Sequence, residues 1–155
     1  MRNVSLCIII FLLSLTACQE EGVVFNKQVA IDDYTWNSSD PVSFNFNIQD
    51  TSKSYDLIFT IRTTDAYAWS NIYLFTEINA PDNSTPYIDT VQFIVADKYG
   101  NWLGENSGNT ITNHFLYKRT QFPAKGDYEL KIHQAMRDVS LEEVMDVGFK
   151  IEDSE

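Results

Sequence analysis

Apolar and polar residues alternate with a period of two along much of this chain. The pattern is clearest at 42–49, VSFNFNIQ, where every second residue is apolar and the others are serine, asparagine or glutamine. A period of two places successive side chains on opposite faces of a β-strand. The stretch YDLIFTIRT at 55–63 repeats the pattern after a turn-rich link at 50–54. These two segments are predicted to form an antiparallel hairpin.

Further strands are predicted at similar intervals, about eight in all. The others lie at 23–31, 71–78, 89–97, 111–118, 127–136 and 145–152. The four prolines, at positions 41, 81, 86 and 123, fall between these segments, where a missing amide donor harms no strand pairing. No segment has the apolar period of a long helix. Only SLEE at 140–143 has the capping-box spacing of a single helical turn.

Short alternating strands separated by turns predict an all-β fold, an antiparallel β-sandwich of the Greek-key or jelly-roll kind. The segment FPAKGDYEL supports this prediction, since Tyr128 enters a strand just after a turn at Lys125 and Gly126. That placement resembles the tyrosine corner of Greek-key sandwiches, in which the phenol bonds back to the chain. A simple core aromatic at Tyr128 is the alternative.

The start of the chain carries an export signal. Residues 4–15 are apolar apart from two serines, and about a dozen residues are too few to span a bilayer. The large Leu15 lies three positions before Cys18, where an ordinary signal peptidase needs a small residue, so LTAC is interpreted as a lipobox. We therefore predict a lipoprotein signal peptide at 1–17, a short linker at 18–22 and one β-sandwich domain at 23–155. An uncleaved, membrane-buried start is the alternative, because Arg2 is the only basic residue before the apolar run.

Lipidation at Cys18 would fix the protein to a membrane. Each buried methylene contributes about 0.8 kcal/mol, and two or more acyl chains make attachment lasting. Cys7 lies inside the predicted signal peptide and is the only other cysteine. The mature chain would then hold no free thiol and no disulfide, which excludes cysteine catalysis and thiolate metal sites.

Composition and net charge restrict the classes of partner that the protein is expected to bind. The chain is 44% hydrophobic and 14% aromatic, a mixture that forms a core. Removal of Arg2 would leave ten basic against 22 acidic residues, a net charge near −12. Nucleic acid and anionic lipid surfaces would repel such a protein. The acids are scattered, as on an ordinary soluble surface, although a cationic partner stays open.

Catalytic motifs are missing from the sequence. It contains no nucleophile elbow, zinc-protease helix, P-loop or Cys-x-x-Cys pair. His114 and His133 fall on predicted strands, where structural or surface roles are expected. The loop at 97–109 has the composition of a calcium loop without its spacing. We expect no catalytic residue, no metal, no cofactor and no small-molecule substrate.

The three tryptophans, Trp36, Trp69 and Trp102, lie at predicted turns or strand ends beside asparagine and aspartate. Aromatic faces flanked by amides and carboxylates are suited to sugar binding. Aromatics at the ends of a sandwich also fill the core, so these three residues are candidates for ligand or partner contact or for structural roles.

The order of several motifs resembles a known family. After the lipobox come FNIQDTSKSYDLIFTIR, NIYLFTEINAP, ADKYGNWLG, FPAKGDYELKIHQAMR and VMDVGFKIE. Together they resemble the GldH-type gliding-motility lipoproteins from the lipobox to about residue 152. The resemblance implies a non-enzymatic lipoprotein of the cell envelope, needed for gliding motility and linked to type IX secretion. Of the residues named above, only Cys18 carries over as functional.

The resemblance also sets expectations for partners and location. The protein would bind the lipid bilayer through acylated Cys18 and would contact other proteins of the gliding and secretion machinery. Gln19 after the cysteine favours the outer membrane, with the domain facing either the periplasm or the cell surface. The alternative function is a glycan-binding outer-membrane lipoprotein that uses exposed tryptophans.

Overall fold

The computed structural model describes residues 21–82 and 84–154. The predicted signal peptide and Cys18 lie outside the described residues, as do the first three residues of the linker. No helix among the described residues is long and apolar enough to cross a bilayer.

Regular structure in this part of the chain consists of strands and one short 3-10 turn, Asp32–Tyr34. The strands are β1 Val23–Ala30, β2 Thr35–Asn37, β3 Val42–Ile48, β4 Tyr55–Thr64, β5 Asn71–Asn79, β6 Tyr87–Ile94, β7 Glu105–Ser107, β8 Thr110–Thr120, β9 Gly126–Gln134, β10 Ser140–Glu142 and β11 Val144–Asp153.

The strands form two main antiparallel sheets. The five-stranded sheet has the order β1-β11-β4-β8-β7, and the four-stranded sheet has the order β3-β9-β5-β6. Strands β10 and β2 form a separate two-stranded ribbon. The all-β antiparallel sandwich predicted from the sequence is confirmed.

A cluster of aromatic rings joins the two sheets. The ring centroid of Phe149 on β11 lies 5.6–5.8 Å from those of Phe25, Phe44, Phe46 and Phe59. Phe44, Phe59 and Phe149 are fully buried. Aromatic pairs at this separation contribute about 0.5–1.5 kcal/mol beyond the burial of their area. The alternating residues of β3 therefore supply the core, as their period of two predicts.

The predicted hairpin between 42–49 and 55–63 is wrong. Strand β3 pairs with β9, whereas β4 pairs with β11 and β8 in the other sheet. Strand β4 is buried along most of its length, which suits a central strand with a partner on each side. The six-residue link between β3 and β4 is long enough to cross between sheets packed about 10 Å apart.

The predicted helical turn at 140–143 is also wrong. Ser140–Glu142 is strand β10, in which Leu141 is buried opposite Trp36 of β2. Burial of the Leu141 side chain outweighs the local capping signal. Strands β2, β7 and β10 have three residues each, too few to show a period, and their omission explains why about eight strands were predicted.

Tyr128 has the hydrogen bonds of a tyrosine corner. Its hydroxyl donates to the Ala124 carbonyl oxygen at 2.8 Å and accepts from the Ala124 amide at 3.3 Å. The ring is buried and stacks on Phe46 with centroids 5.5 Å apart. Tyr128 therefore forms a tyrosine corner and is also a core aromatic.

Strand direction defines two ends of the sandwich. At the near end, β1 begins and β11 finishes, and the Asp153 amide donates to the Gly22 carbonyl oxygen at 2.8 Å. At the far end lie the connections 31–41, 65–70 and 135–143. Strands of eight to eleven residues separate the two ends by about 30 Å.

Candidate functional site

The outer face of the five-stranded sheet is mostly polar, although Leu116 is an exposed apolar residue on it. Ion pairs cross it: the Arg119 guanidinium donates to both carboxylate oxygens of Asp56 at 2.6 and 2.7 Å, and Arg62 Nε lies 2.7 Å from Asp146 Oδ2. Lys150 Nζ lies 2.6 Å from Glu152 Oε2. A face covered by paired charges is suited to solvent.

The outer face of the four-stranded sheet carries four exposed apolar side chains where β5 and β6 pair, each opposite a polar residue of the neighbouring strand. Tyr73 and Phe75 on β5 project outward, as do Ile88 and Ile94 on β6, and these four residues are called the β5–β6 face below. Their exposed fractions are 38%, 50%, 68% and 48%. Apolar patches of this kind on a soluble domain mark contact sites more often than isolated exposed residues do.

A groove adjoins this face at the far end of the sandwich. It has a volume of about 480 Å³ and is lined by Trp69, Asn71, Tyr73, Ala135, Met136 and Arg137. Two hydrogen bonds join its walls: the Ala135 amide donates to the Tyr73 carbonyl oxygen at 2.8 Å, and the Tyr73 amide donates to the Met136 side-chain sulfur at 3.3 Å. The groove therefore combines two aromatic rings with one guanidinium.

Trp69 lies on the rim of this groove with 42% of its surface exposed. The loop that carries it is fixed from below by Tyr67, whose buried hydroxyl donates to the Asn71 carbonyl oxygen at 3.0 Å. Burial raises the pKa of Tyr67 above its ordinary value. The Trp69 ring is thus presented by a firmly held loop.

Trp36 and Trp102 lie in different environments. Trp36 is 1% exposed, and its Nε1 donates to the Asp40 carbonyl oxygen at 2.8 Å, so the indole fills the core. That burial leaves no indole face for a ligand. Trp102 is half-buried, bridges Ala96 and packs against the core. Trp69 is therefore the most exposed of the three candidates.

The histidines and the loop at 97–109 make ordinary structural contacts. His114 Nδ1 lies 2.9 Å from Thr60 Oγ1, and His133 Nδ1 lies 3.3 Å from the Ser38 carbonyl oxygen. The Asp97 carboxylate accepts from the Asn101 side chain and amide at 2.9 Å each, and these bonds lower the Asp97 pKa. No group of three metal-ligating side chains is present in the described part of the chain.

Sequence analysis missed the β5–β6 face, although the signal was there. Residues 72–75 read IYLF, four apolar residues in a row where a strand with one wet face would alternate. Ile72 and Leu74 are fully buried, so Tyr73 and Phe75 are left on the outer side. An uninterrupted apolar run in an antiparallel strand indicates that both faces of the strand are apolar.

Solved structures share only a distant likeness to this fold. A 4-O-methyl-α-glucuronidase with specificity for decorated arabinogalactans is 12% identical, with a TM-score of 0.42 over 88% of this chain and 18% of the enzyme. A likeness at that level carries no argument about function.

Sequence relatives are much closer. A gliding motility lipoprotein GldH homolog of Christiangramia forsetii is 33% identical over 97% of this chain and 96% of its own length. The gliding motility lipoprotein GldH of Flavobacterium johnsoniae is 30% identical over 82% of this chain and 86% of its own. The family described as GldH lipoprotein matches residues 23–151, which spans the sandwich from β1 into β11. The chain belongs to the GldH lipoprotein family.

Proposed function

We propose that this protein is a non-enzymatic, envelope-anchored lipoprotein of the bacterial gliding motility machinery, linked to type IX secretion. The observation that carries the proposal is family membership across the whole sandwich, residues 23–151. Two relatives that cover most of the chain are named as gliding motility lipoproteins. The outer membrane is the proposed location, with the anchor at Cys18.

The geometry supports a role in holding a partner. The β5–β6 face carries four exposed apolar side chains, whereas ion pairs cover much of the opposite face of the sandwich. Burial of apolar area contributes roughly 25 cal/mol per Å², so a protein partner would gain most by covering the β5–β6 face. The proposed partners are other proteins of the gliding and secretion machinery.

The proposed lack of catalysis rests on the chemistry of the side chains. In the described part of the chain, His114 and His133 bond to a threonine hydroxyl and a backbone carbonyl oxygen, and the groove beside Trp69 has Arg137 as its charged residue. A general acid or base must lie within hydrogen-bond reach of the proton that it transfers, and neighbouring groups usually tune its pKa. A binding role fits these contacts better.

The anchor is tested by substitution in cells. Cys18→Ala should release the protein from the membrane fraction and abolish spreading on agar, as deletion of the gene should. Cys7→Ala is the matched control, because that residue lies in the predicted signal peptide; it should leave both anchoring and spreading intact. Normal spreading by the deletion strain or by the Cys18→Ala strain would refute the proposal.

A second candidate function, glycan binding, is favoured by the exposure of Trp69 beside Tyr73 and Arg137 in one groove. Aromatic faces with nearby polar groups suit sugar rings. A glycan array should then show binding that Trp69→Ala removes while the melting temperature stays unchanged. An array that stays blank would eliminate this candidate.

A further inference from the structure

Among the described residues, the outer edge of β6 is a free sheet edge from Tyr87 to Ile94. It ends there, because the Leu103 amide donates to the Val95 carbonyl oxygen at 2.9 Å and Trp102 bridges Ala96. Within residues 21–82 and 84–154, β6 pairs only with β5, and that register runs without a bulge from Tyr87 to Ile94. The strand contains no proline, lysine or arginine. Its one charge, Asp89, lies 3.4–3.5 Å from the hydroxyls of Tyr87 and Tyr117. A straight edge of eight residues with one acid is a template for another strand.

The edges of the five-stranded sheet are protected. Strand β1 has a register shift between Val23 and Phe25 and carries Lys27. Strand β7 covers one end of β8. The pairing register of β8 with β4 shifts after Leu116, and Lys118 and Arg119 follow that shift. Bulges, lysines and short covering strands are devices that prevent pairing between edges.

The other edge of the four-stranded sheet, β3, lacks charge but is unlike β6. Its outward residues are Ser43, Asn45 and Asn47, and its inward Phe44 and Phe46 are buried against Phe25 of β1. A strand added there would gain no apolar contact on the outer face. Strand β6 instead carries two exposed isoleucines.

We propose that β6 pairs antiparallel with β6 of a second copy of this chain, with the two-fold axis at Val91. Residues opposite each other in an antiparallel pair share a face of the sheet. The two-fold axis of a symmetric pair must therefore pass through a residue, because an axis between two residues would place inward residues opposite outward ones. Centring on Val91 places Ile88 opposite Ile94 of the other copy, twice, and Thr90 opposite Gln92. Centring on Thr90 would instead place Ile88 opposite Gln92, apolar against polar.

This arrangement also keeps the acidic side chains of the two β6 strands apart. Centring on Val91 places Asp89 opposite Phe93 of the other copy, which separates the two Asp89 carboxylates. The pair of β6 strands would join two four-stranded sheets into one, and the β5–β6 faces of both copies would become continuous. The second copy would therefore bring the exposed apolar side chains of both faces onto one sheet.

The size of the contact predicts a weak dimer. Eight residues extend about 27 Å, and the flank of a two-sheet sandwich is about 20 Å deep, so each copy would bury about 500 Å². A total of about 1,000 Å² is at the lower limit for a specific interface. Anchoring two copies in one membrane would raise their local concentration and favour pairing.

Cysteine cross-linking in cells tests both the pairing and its register. Two tagged copies of the full chain are expressed together, one with Ile88→Cys and the other with Ile94→Cys, and isolated membranes are oxidised with copper phenanthroline. Opposite residues have Cβ atoms about 5 Å apart, close enough to cross-link with small backbone motion. The two Ile88 positions would be about 20 Å apart, so copies that both carry Ile88→Cys should not cross-link.

The expected result is a disulfide dimer from the mixed pair only, with no dimer from the unsubstituted chain. Adding Thr90→Lys to both copies should lower the dimer yield severalfold, whereas Asn45→Lys on β3 should leave it unchanged. Absence of the mixed dimer, equal cross-linking by the two Ile88→Cys copies, or a mixed disulfide with a different protein would overturn the proposal. The cross-linking result does not depend on whether the strain spreads, so the dimer can be refuted while the proposed function stands.

Discussion

Replacing Trp36 tests the division between core and surface tryptophans. The indole is 1% exposed, and its Nε1 donates to the Asp40 carbonyl oxygen. Truncating a buried tryptophan to alanine costs about 3–5 kcal/mol, and the orphaned carbonyl adds about 1 kcal/mol. Trp36→Ala should therefore lower the free energy of unfolding by about 4–6 kcal/mol, a large part of the 5–15 kcal/mol typical of a domain.

Two further variants separate the loss of buried volume from the loss of the hydrogen bond. Trp36→Phe keeps most of the ring volume and removes the donor, so it should cost about 1–2 kcal/mol. Trp69→Ala removes a side chain that is 42% exposed and should cost less than about 1 kcal/mol. The contrast between these values isolates burial as the cause.

The assay is urea unfolding of the chain from residue 19 onward, followed by far-ultraviolet circular dichroism. With a slope of about 1.5 kcal/mol/M, a loss of about 4 kcal/mol lowers the urea midpoint by about 2.7 M. If Trp36→Ala shifted the midpoint no more than Trp69→Ala, the placement of Trp36 in the core would be refuted.

Three more predictions concern single side chains. Tyr128→Phe removes both hydroxyl bonds to Ala124 and should cost about 1–2 kcal/mol in the same urea assay; an unchanged midpoint would show that the corner adds nothing. Glu143 has a φ of 68°, so Glu143→Gly should be about 1 kcal/mol more stable than Glu143→Ala, and equal stabilities would contradict the strain. The Asn101 bonds lower the pKa of Asp97, so that carboxylate stabilises the fold above about pH 4 and the effect is lost as pH falls further. Asp97→Asn should therefore lower the melting temperature at pH 7, with the difference from the parent closing below about pH 4; a difference independent of pH would contradict this.

Strand alternation predicted most of the fold. Where one face is buried and the other is wet, as on β3, the period of two identifies the strand. It does not identify the partner strand, and that is why the hairpin from β3 to β4 was predicted wrongly. Pairing depends on contacts between distant residues, such as Phe149 against Phe44, which no local pattern encodes.

The candidate surface was harder to predict than the fold. Polar neighbours make Trp36 a candidate for ligand contact in the sequence, yet the residue is buried where β2 pairs with β10, a strand of three residues. The exposed residues Phe75 and Ile88 lie in ordinary strand sequence. Their exposure follows from the edge position of β6 and the absence, among the described residues, of a layer over β5, both of which are tertiary facts.

The β5–β6 face is tested most directly by placing one charge on each side of the sandwich. Phe75→Lys alters the apolar face, and Leu116→Lys is the matched control, because Leu116 has a similar exposed fraction on the five-stranded sheet. Both variants should keep the melting temperature and the membrane fraction of the parent. Spreading on agar should be lost with Phe75→Lys and retained with Leu116→Lys. Normal spreading by the Phe75→Lys strain would contradict a partner-binding role for this face.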